Sequence, residues 1–363
     1  MADRLHLPLA PEAVESQEVV CCQSLPFKIH LPIFEPVNLQ TKHESLNMKG
    51  LLKSKSAGTQ FLLLISIALA SFFIIGLLGT VLLSKITGMS LETMSDNSKW
   101  DYNSGTLLTV IRGMQLIQFV SLFLIPTLLC ARFFSTDSKD YLGLKNPSDN
   151  RYYLVAVAIL LIALPFVNFI GELNRNVQFP ADIAKWMKEQ EAEAAKSIKA
   201  LLSKHTIKDL LLNIICIAGL AAVGEELLFR GIAQRLLIKL FKSPWAGIIV
   251  SAFIFSAMHV QFYGFLPRFI LGILLGAIYW YSGSLWTAIL AHFVYDALLI
   301  ILVYFNPASL NDENALNLSN IAVAATASFG VVCFLLIWMK KKSTVSFQSV
   351  YAADVIPVKD HPF

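Results

Sequence analysis

From residue 48 onward the chain alternates between apolar blocks of roughly twenty residues and short polar connectors. A helix of that length covers the ~30 Å hydrocarbon core of a bilayer at about 1.5 Å per residue. Eight spans are predicted, at 61–83, 106–130, 152–171, 208–228, 245–260, 266–281, 285–305 and 320–339, the fifth and sixth being short. The expected fold is therefore all-α, a polytopic helical membrane protein. Within the 172–208 connector, "AKWMKEQEAEAAKSIKALLSKH" has a helix-like pattern suited to lying along the interface. No strong internal repeat or low-complexity tract interrupts this layout.

Positive charge orients the spans. Lys49, Lys53 and Lys55 precede the first, Arg230, Arg235, Lys239 and Lys242 lie in 230–244 without an acid, and "MKKKS" closes the last. With eight crossings these three groups share one side, so both ends of the span region are expected in the cytoplasm, N-in and C-in. The opposite connectors fit: "NPASLNDENALNLSN" (306–320) is acidic and 172–208 is mixed in charge.

Residues 1–47 differ from everything that follows, and they lack the basic, apolar and small-residue order of a signal peptide. "MKGLLKSKSAGTQFLLLIS" at Met48 reads as a bacterial membrane-protein start, so 1–47 is expected to be a disordered extension or a mis-assigned start. The transmembrane domain is then 48–340, with its motif core at 205–305, followed by a cytoplasmic tail at 341–363. Composition agrees: of 363 residues 56% are hydrophobic and 15% charged, against about a quarter charged in soluble domains. The net charge of +4 comes from lysines and arginines beside the apolar blocks, so it reports topology and implies no nucleic-acid partner. Cys21, Cys22, Cys130, Cys216 and Cys333 show no CxxC or Cys/His ligand spacing and are read as reduced or packing residues.

Ionisable residues within or beside the apolar blocks carry the candidate chemistry, because they are costly there. They are Arg112, Glu225, Glu226, Arg230, His259, Arg268, His292 and Asp296, and only two of the seven histidines fall inside spans. Glu226 and Arg230 are four apart and share a helical face, as do Phe255 and His259 in "FSAMH" and His292 and Asp296 in "HFVYD". Glu225 points about 100° away from Glu226 and need not share its arginine. Singly, each pair has a structural explanation: mutual neutralisation, a packed histidine, a helix-stabilising hydrogen bond. Arg112 has no partner legible in the sequence and is expected to be structural or interfacial. Arg268, after Pro267, is expected to snorkel to the interface. If the three stripes face each other, two carboxylates, two imidazoles and an aspartate can hold and deprotonate a water, as peptide hydrolysis without a serine or cysteine nucleophile requires. Convergence needs the helix that carries Glu225 to continue past Arg230, to about Lys239.

The order EExxxR (225–230), FxxxH (255–259), HxxxD (292–296) resembles the CPBP family of intramembrane proteases, which includes CAAX proteases, bacteriocin-processing enzymes and the type II CAAX prenyl endopeptidases. The resemblance covers about 205–305. It implies an intramembrane endopeptidase in which Glu225 is the general base, Glu226 assists, Arg230 orients the glutamates, and His259 helps hold the water or a metal. His292 and Asp296 would stabilise the oxyanion or complete a ligand shell. A zinc ion held by Glu225, His259, His292 and Asp296 and a metal-free glutamate mechanism both stay open; HExxH is absent. Asp296 stands where the prenyl endopeptidases have Asn, which puts a CAAX substrate in doubt, since an ionised Asp cannot donate to an oxyanion. The expected partners are the lipid bilayer and a membrane protein or peptide substrate, in the inner (plasma) membrane of a bacterium. A proton or metal transporter would use the same residues, and a non-catalytic scaffold or bacteriocin-immunity protein would keep the fold without needing the base.

Overall fold

Ser56, in extended conformation, accepts the Thr59 N–H and starts helix α1 (Ala57–Thr87), which ends where Gly88 turns left-handed at φ 74. The computed structural model describes residues 48–102, 104–204, 206–307 and 318–351. The predicted 1–47 extension, most of the acidic 306–320 connector and the end of the tail lie outside the described residues.

The other main helices are α2 (Gly105–Phe134), α3 (Arg151–Arg175), α4 (Ala181–Leu202), α5 (Ile207–Phe241), α6 (Pro244–Ala257), α7 (Phe265–Ser282), α8 (Leu285–Phe305), α9 (Leu318–Lys342) and the short α10 (Phe347–Tyr351). Among the described residues seven helices are long and apolar enough to cross a membrane, and the chain is a polytopic helical membrane protein. This changes the predicted count of eight spans. Segment 245–260 forms the 14-residue helix α6, about 21 Å long and short of a ~30 Å core. Ser243 caps its start and Pro244 takes the first turn. The chain leaves the helix after Ala257, where Val260 adopts φ 52 and breaks the hydrogen-bond ladder.

Both limits of the span region lie at one end of the bundle. Gly50 N–H donates to the Arg132 carbonyl (2.8 Å) and Leu285 N–H to the Gly143 carbonyl (2.8 Å). Tyr351 Oη donates to the Arg235 carbonyl (2.7 Å), which ties α10 to α5. The Lys- and Arg-rich segments therefore gather there, while the 258–264 turn is tied to the end of α3 and to α4 at the far end.

Close helix approach sets the register. Gly247 of α6 lies against the backbone of Ile238, and a Cβ there would sit 2.5 Å from the Ile238 nitrogen. Gly272 and Gly276 of α7 meet Ala252 of α6 and Gln234 of α5, so small residues four apart draw the three helices together. The core joins Leu228, Phe229, Ile232 and Leu236 of α5 to Leu274, Leu275 and Ile278 of α7 and Ala288, Ala291 and Tyr295 of α8. Leu62, Phe73, Leu77 and Ile86 of α1 stay exposed, as suits a surface solvated by lipid.

Helix α4 lies in the predicted amphipathic region and buries Met187, Ala200, Leu201 and Leu202, with Ala200 and Leu201 packed against Leu107, Leu108 and Ile111 of α2. Arg112, without a legible partner in the sequence, donates to Asp209 Oδ1 (2.9 Å) and Asn213 Oδ1 (3.0 Å) on α5. Cys130, Cys216 and Cys333 are free thiols.

Candidate active site

Helix α5 supplies the first group. It runs unbroken past Arg230 to Phe241, as convergence requires, and its backbone widens to π-helix at Ile214–Gly219 and again at Glu226–Gln234. Such widenings are frequent at functional sites. Glu226 is 0% and Arg230 1% exposed. Arg230 NH1 donates to Glu226 Oε1 (2.8 Å), NH2 donates to the Gly272 carbonyl (3.2 Å), and the guanidinium lies 4.7 Å above the Phe255 ring. A charge removed from water is sustainable only when paired and hydrogen-bonded in this way. Glu226 Oε2 is also buried and has no hydrogen-bond partner among the described residues.

Helix α8 brings His292 beneath the same carboxylate. His292 Nδ1 lies 2.9 Å from Glu226 Oε1, while Nε2 lies 3.4 Å from Asp296 Oδ2 one turn on. The contact with Glu226 spans 66 residues of sequence, and no local pattern announces it.

Glu225 turns away from Arg230 and toward both imidazoles. Its Oε1 is 3.9 Å from His259 Nε2 and its Oε2 is 4.0 Å from His292 Nε2. These separations exceed a direct hydrogen bond, and a water about 2.8 Å from both ends of either gap fits at an angle of about 90°. His259 was expected inside a span; it sits instead in the turn after α6, because the helix ends at Ala257. Its Nδ1 is 2.9 Å from the Phe255 carbonyl, which only accepts, so Nδ1 carries the hydrogen. In the neutral ring Nε2 then presents a lone pair toward Glu225. Two acceptors face one gap, and a water donating to both satisfies them.

Phe255 centres the arrangement, edge-on to Phe229 (5.2 Å), His259 (5.1 Å) and His292 (6.5 Å). The aromatic of the FxxxH pattern thus packs both imidazoles and the arginine at once, a role its sequence position does not reveal. All six predicted site residues come together. Their side chains grade from sealed to accessible, with Glu225 15%, Asp296 27% and His259 30% exposed, so the open side faces these three. Arg268 was expected to snorkel to the interface. It folds back onto the Gln261 carbonyl and side-chain oxygen, and it feels the charges of Glu191, Glu225 and Asp296. A cavity of about 310 Å³ lined by Phe253, Ser256, Val260, Gln261, Phe262 and Phe265 adjoins the turn, and no site carboxylate or imidazole lines it.

The chemistry of the donor set bears on zinc. Among the described residues no group of three or more His, Cys, Asp or Glu side chains has an arrangement that could hold a metal ion. Glu225 stands 3.9 Å from His259 and 4.0 Å from His292, and Asp296 pairs with His292.

An integral membrane protein with a buried acid–histidine centre shared by adjacent helices is the class that this geometry defines. Residues 207–298, which contain all six site residues, match the family model described as Rce1-like, "Type II CAAX prenyl endopeptidase Rce1-like". At the level of the family, that match supports a membrane endopeptidase of CAAX-protease (CPBP) type. The chain is also 28% identical over 181 residues to "Uncharacterized protein YpbD" of Bacillus subtilis (strain 168), covering 48% of this chain and 80% of that protein. No solved structure matches.

Proposed function

We propose that the protein hydrolyses a peptide bond in a membrane-associated substrate with a water activated by Glu225. The observation that carries this reading is the Glu225 carboxylate held 3.9 and 4.0 Å from two imidazole nitrogens, separations that a single water hydrogen-bonded to both ends of a gap can bridge at an angle. Glu225 takes a proton from that water as its oxygen attacks the carbonyl carbon, and it returns the proton to the leaving amine when the C–N bond breaks. His259 Nε2 accepts the water's other hydrogen and fixes the attacking lone pair. His292 Nδ1 carries a hydrogen toward the Glu226 carboxylate, so it is the doubly protonated ring, steadied by Asp296, whose Nε2 donates to the carbonyl oxygen as it becomes an oxyanion. Glu226 and Arg230 are the sealed base of the site; they hold His292 and Phe255 in place.

The substrate reaches the open side at Glu225, His259 and Asp296. The family's description names prenyl endopeptidases, whose lipid-bearing substrates lie at a membrane. The likeness to a Bacillus subtilis protein favours a bacterial plasma membrane, and with it an unprenylated membrane peptide or protein as substrate. The test compares new peptide ends in host membranes that carry wild-type protein or Glu225→Gln at equal expression. Ends that appear only with wild type are expected and identify the substrate. Matching profiles under conditions where the gene has a phenotype would overturn the protease reading and favour a non-catalytic scaffold.

A further inference from the structure

The turn that carries His259 is not self-supporting. Its local backbone hydrogen bonds are His259 N–H to the Ser256 carbonyl (3.3 Å), Val260 N–H to the Ala257 carbonyl (3.1 Å) and Phe265 N–H to the Phe262 carbonyl (3.2 Å), joined by the His259 ring on the Phe255 carbonyl (2.9 Å) and the Ser256 hydroxyl on the Phe265 carbonyl (2.7 Å). Val260, next to His259, has φ 52. A β-branched residue in the left-handed region is strained and persists only where its surroundings over-determine it.

The surroundings do so from three elements. Asn174, in the last turn of α3, donates through Nδ2 to the Phe262 carbonyl (2.6 Å). The Tyr263 N–H donates to Glu191 Oε1 of α4 (3.0 Å), 72 residues away. Arg268 of α7 holds the Gln261 carbonyl (3.4 Å) and side chain. Trp186 of α4, about one helical turn before Glu191, packs its ring 5.2 Å from Phe262. Consecutive backbone groups at 261, 262 and 263 are thus each taken by a side chain from outside the turn. A carboxylate that accepts a backbone N–H forms a charge-assisted bond, stronger than a neutral one.

We propose that Glu191 is a positioning residue for His259, acting through the Tyr263 amide, with Asn174 as its partner on the neighbouring carbonyl. The proposal rests on the reading of His259 as the group that holds the attacking water. Neither Glu191 nor Asn174 touches the Glu225–His259 gap. They fix the backbone three and four residues downstream of His259, and so set the distance from Nε2 to Glu225. The amphipathic helix between the third and fourth long spans thereby becomes part of the catalytic machinery.

The test uses the full chain in lipid nanodiscs and two readouts. One is the rate at which diethyl pyrocarbonate modifies His259, followed by peptide mass spectrometry, which needs no activity. The other is kcat and KM for a peptide spanning the cleavage site found by the comparison of peptide ends. Glu191→Ala is expected to change His259 reactivity at least threefold and to lower kcat about tenfold or more, with KM within about twofold. Glu191→Gln keeps a carbonyl acceptor for the Tyr263 N–H and is expected to restore both toward wild type. Asn174→Ala, an independent tie from a different helix, is expected to alter His259 reactivity in the same direction, which separates loss of the tie from misfolding of α4. Unchanged His259 reactivity in Glu191→Ala overturns the proposal, as does changed reactivity with unchanged kcat. If wild type cleaves nothing while His259 reactivity follows Glu191, the water-activation reading falls and the catalytic role of Glu191 with it, but the mechanical link stands.

Discussion

Arg230→Met tests what keeps a carboxylate in the centre of an apolar bundle. The substitution keeps most of the side-chain volume and removes the guanidinium. Glu226, 0% exposed, then loses its 2.8 Å partner and retains only His292 Nδ1 on the same oxygen. The Gly272 carbonyl loses its 3.2 Å donor and Phe255 loses a cation 4.7 Å above its ring. Breaking a buried pair from one side costs about 3–5 kcal/mol, chiefly because a charge stays behind unpaired. The carbonyl, worth about 1–3 kcal/mol, and the ring contact, worth about 0.5–2 kcal/mol, overlap with that loss and are not simply added. At roughly 2–4 °C per kcal/mol, the scale for domains of about 150–250 residues and an upper guide for this larger chain, the midpoint should fall by roughly 10 °C. The assay is thermal unfolding in detergent, read by thiol labelling of the buried Cys130 with the labelled peptide quantified by mass spectrometry. Adding Glu226→Gln removes the stranded charge while leaving an acceptor for His292, and should recover about 1–3 kcal/mol of the loss. A midpoint for Arg230→Met within about 2 °C of wild type, or no recovery in the double variant, would refute the view that this pair is what neutralises Glu226.

Gly247→Ala should destabilise by about 1–3 kcal/mol or more, because its Cβ would lie 2.5 Å from the Ile238 nitrogen and 2.7 Å from its Cα, and backbone cannot rotate aside; a thermal midpoint equal to wild type in the same assay would count against the close α5–α6 approach. Arg112→Met should cost less than Arg230→Met, about 1–3 kcal/mol, since Asp209 keeps its 2.6 Å bond to the Thr206 hydroxyl and remains partly exposed; equal or larger loss would show that this polar cluster matters more than its burial suggests. Chelation with 1,10-phenanthroline should leave the cleavage rate within about twofold if Glu225 acts without a metal; inactivation reversed by added zinc would replace that mechanism. Asp296→Asn keeps an oxygen near His292 Nε2, now 3.4 Å away, so cleavage should remain within about tenfold of wild type; loss as complete as in Glu225→Gln would make the negative charge of Asp296 part of the chemistry.

Much of this molecule is legible along the chain. A block of about twenty apolar residues satisfies its backbone in lipid only as a helix, so the spans follow from length and hydropathy alone. Pairs four apart on a helix follow equally directly, and Glu226–Arg230 and His292–Asp296 meet as their spacing requires. The exceptions are instructive. Segment 245–260 is apolar enough for a span, yet α6 stops at Ala257, since the turn that presents His259 is held from α3, α4 and α7. Arg268 reads as an interfacial cation, and only the fold shows that it folds back onto Gln261. Glu191 is one acid among several in "KEQEAEAAK", and nothing local marks it as the acceptor of the Tyr263 amide.

The sequence by itself determined the membrane-spanning helices, the faces that carry polar groups and the three motifs, because each depends on contacts within about four residues, where helix geometry leaves no freedom. Tertiary structure alone decided that Glu225 looks at two imidazoles, that His292 reaches Glu226 and that Arg112 finds Asp209 across 97 residues. Those distances depend on how deeply helices interlock at Gly247, Gly272 and Gly276. That register is a sum of many weak packing contacts spread over the bundle, so no short stretch of sequence encodes it.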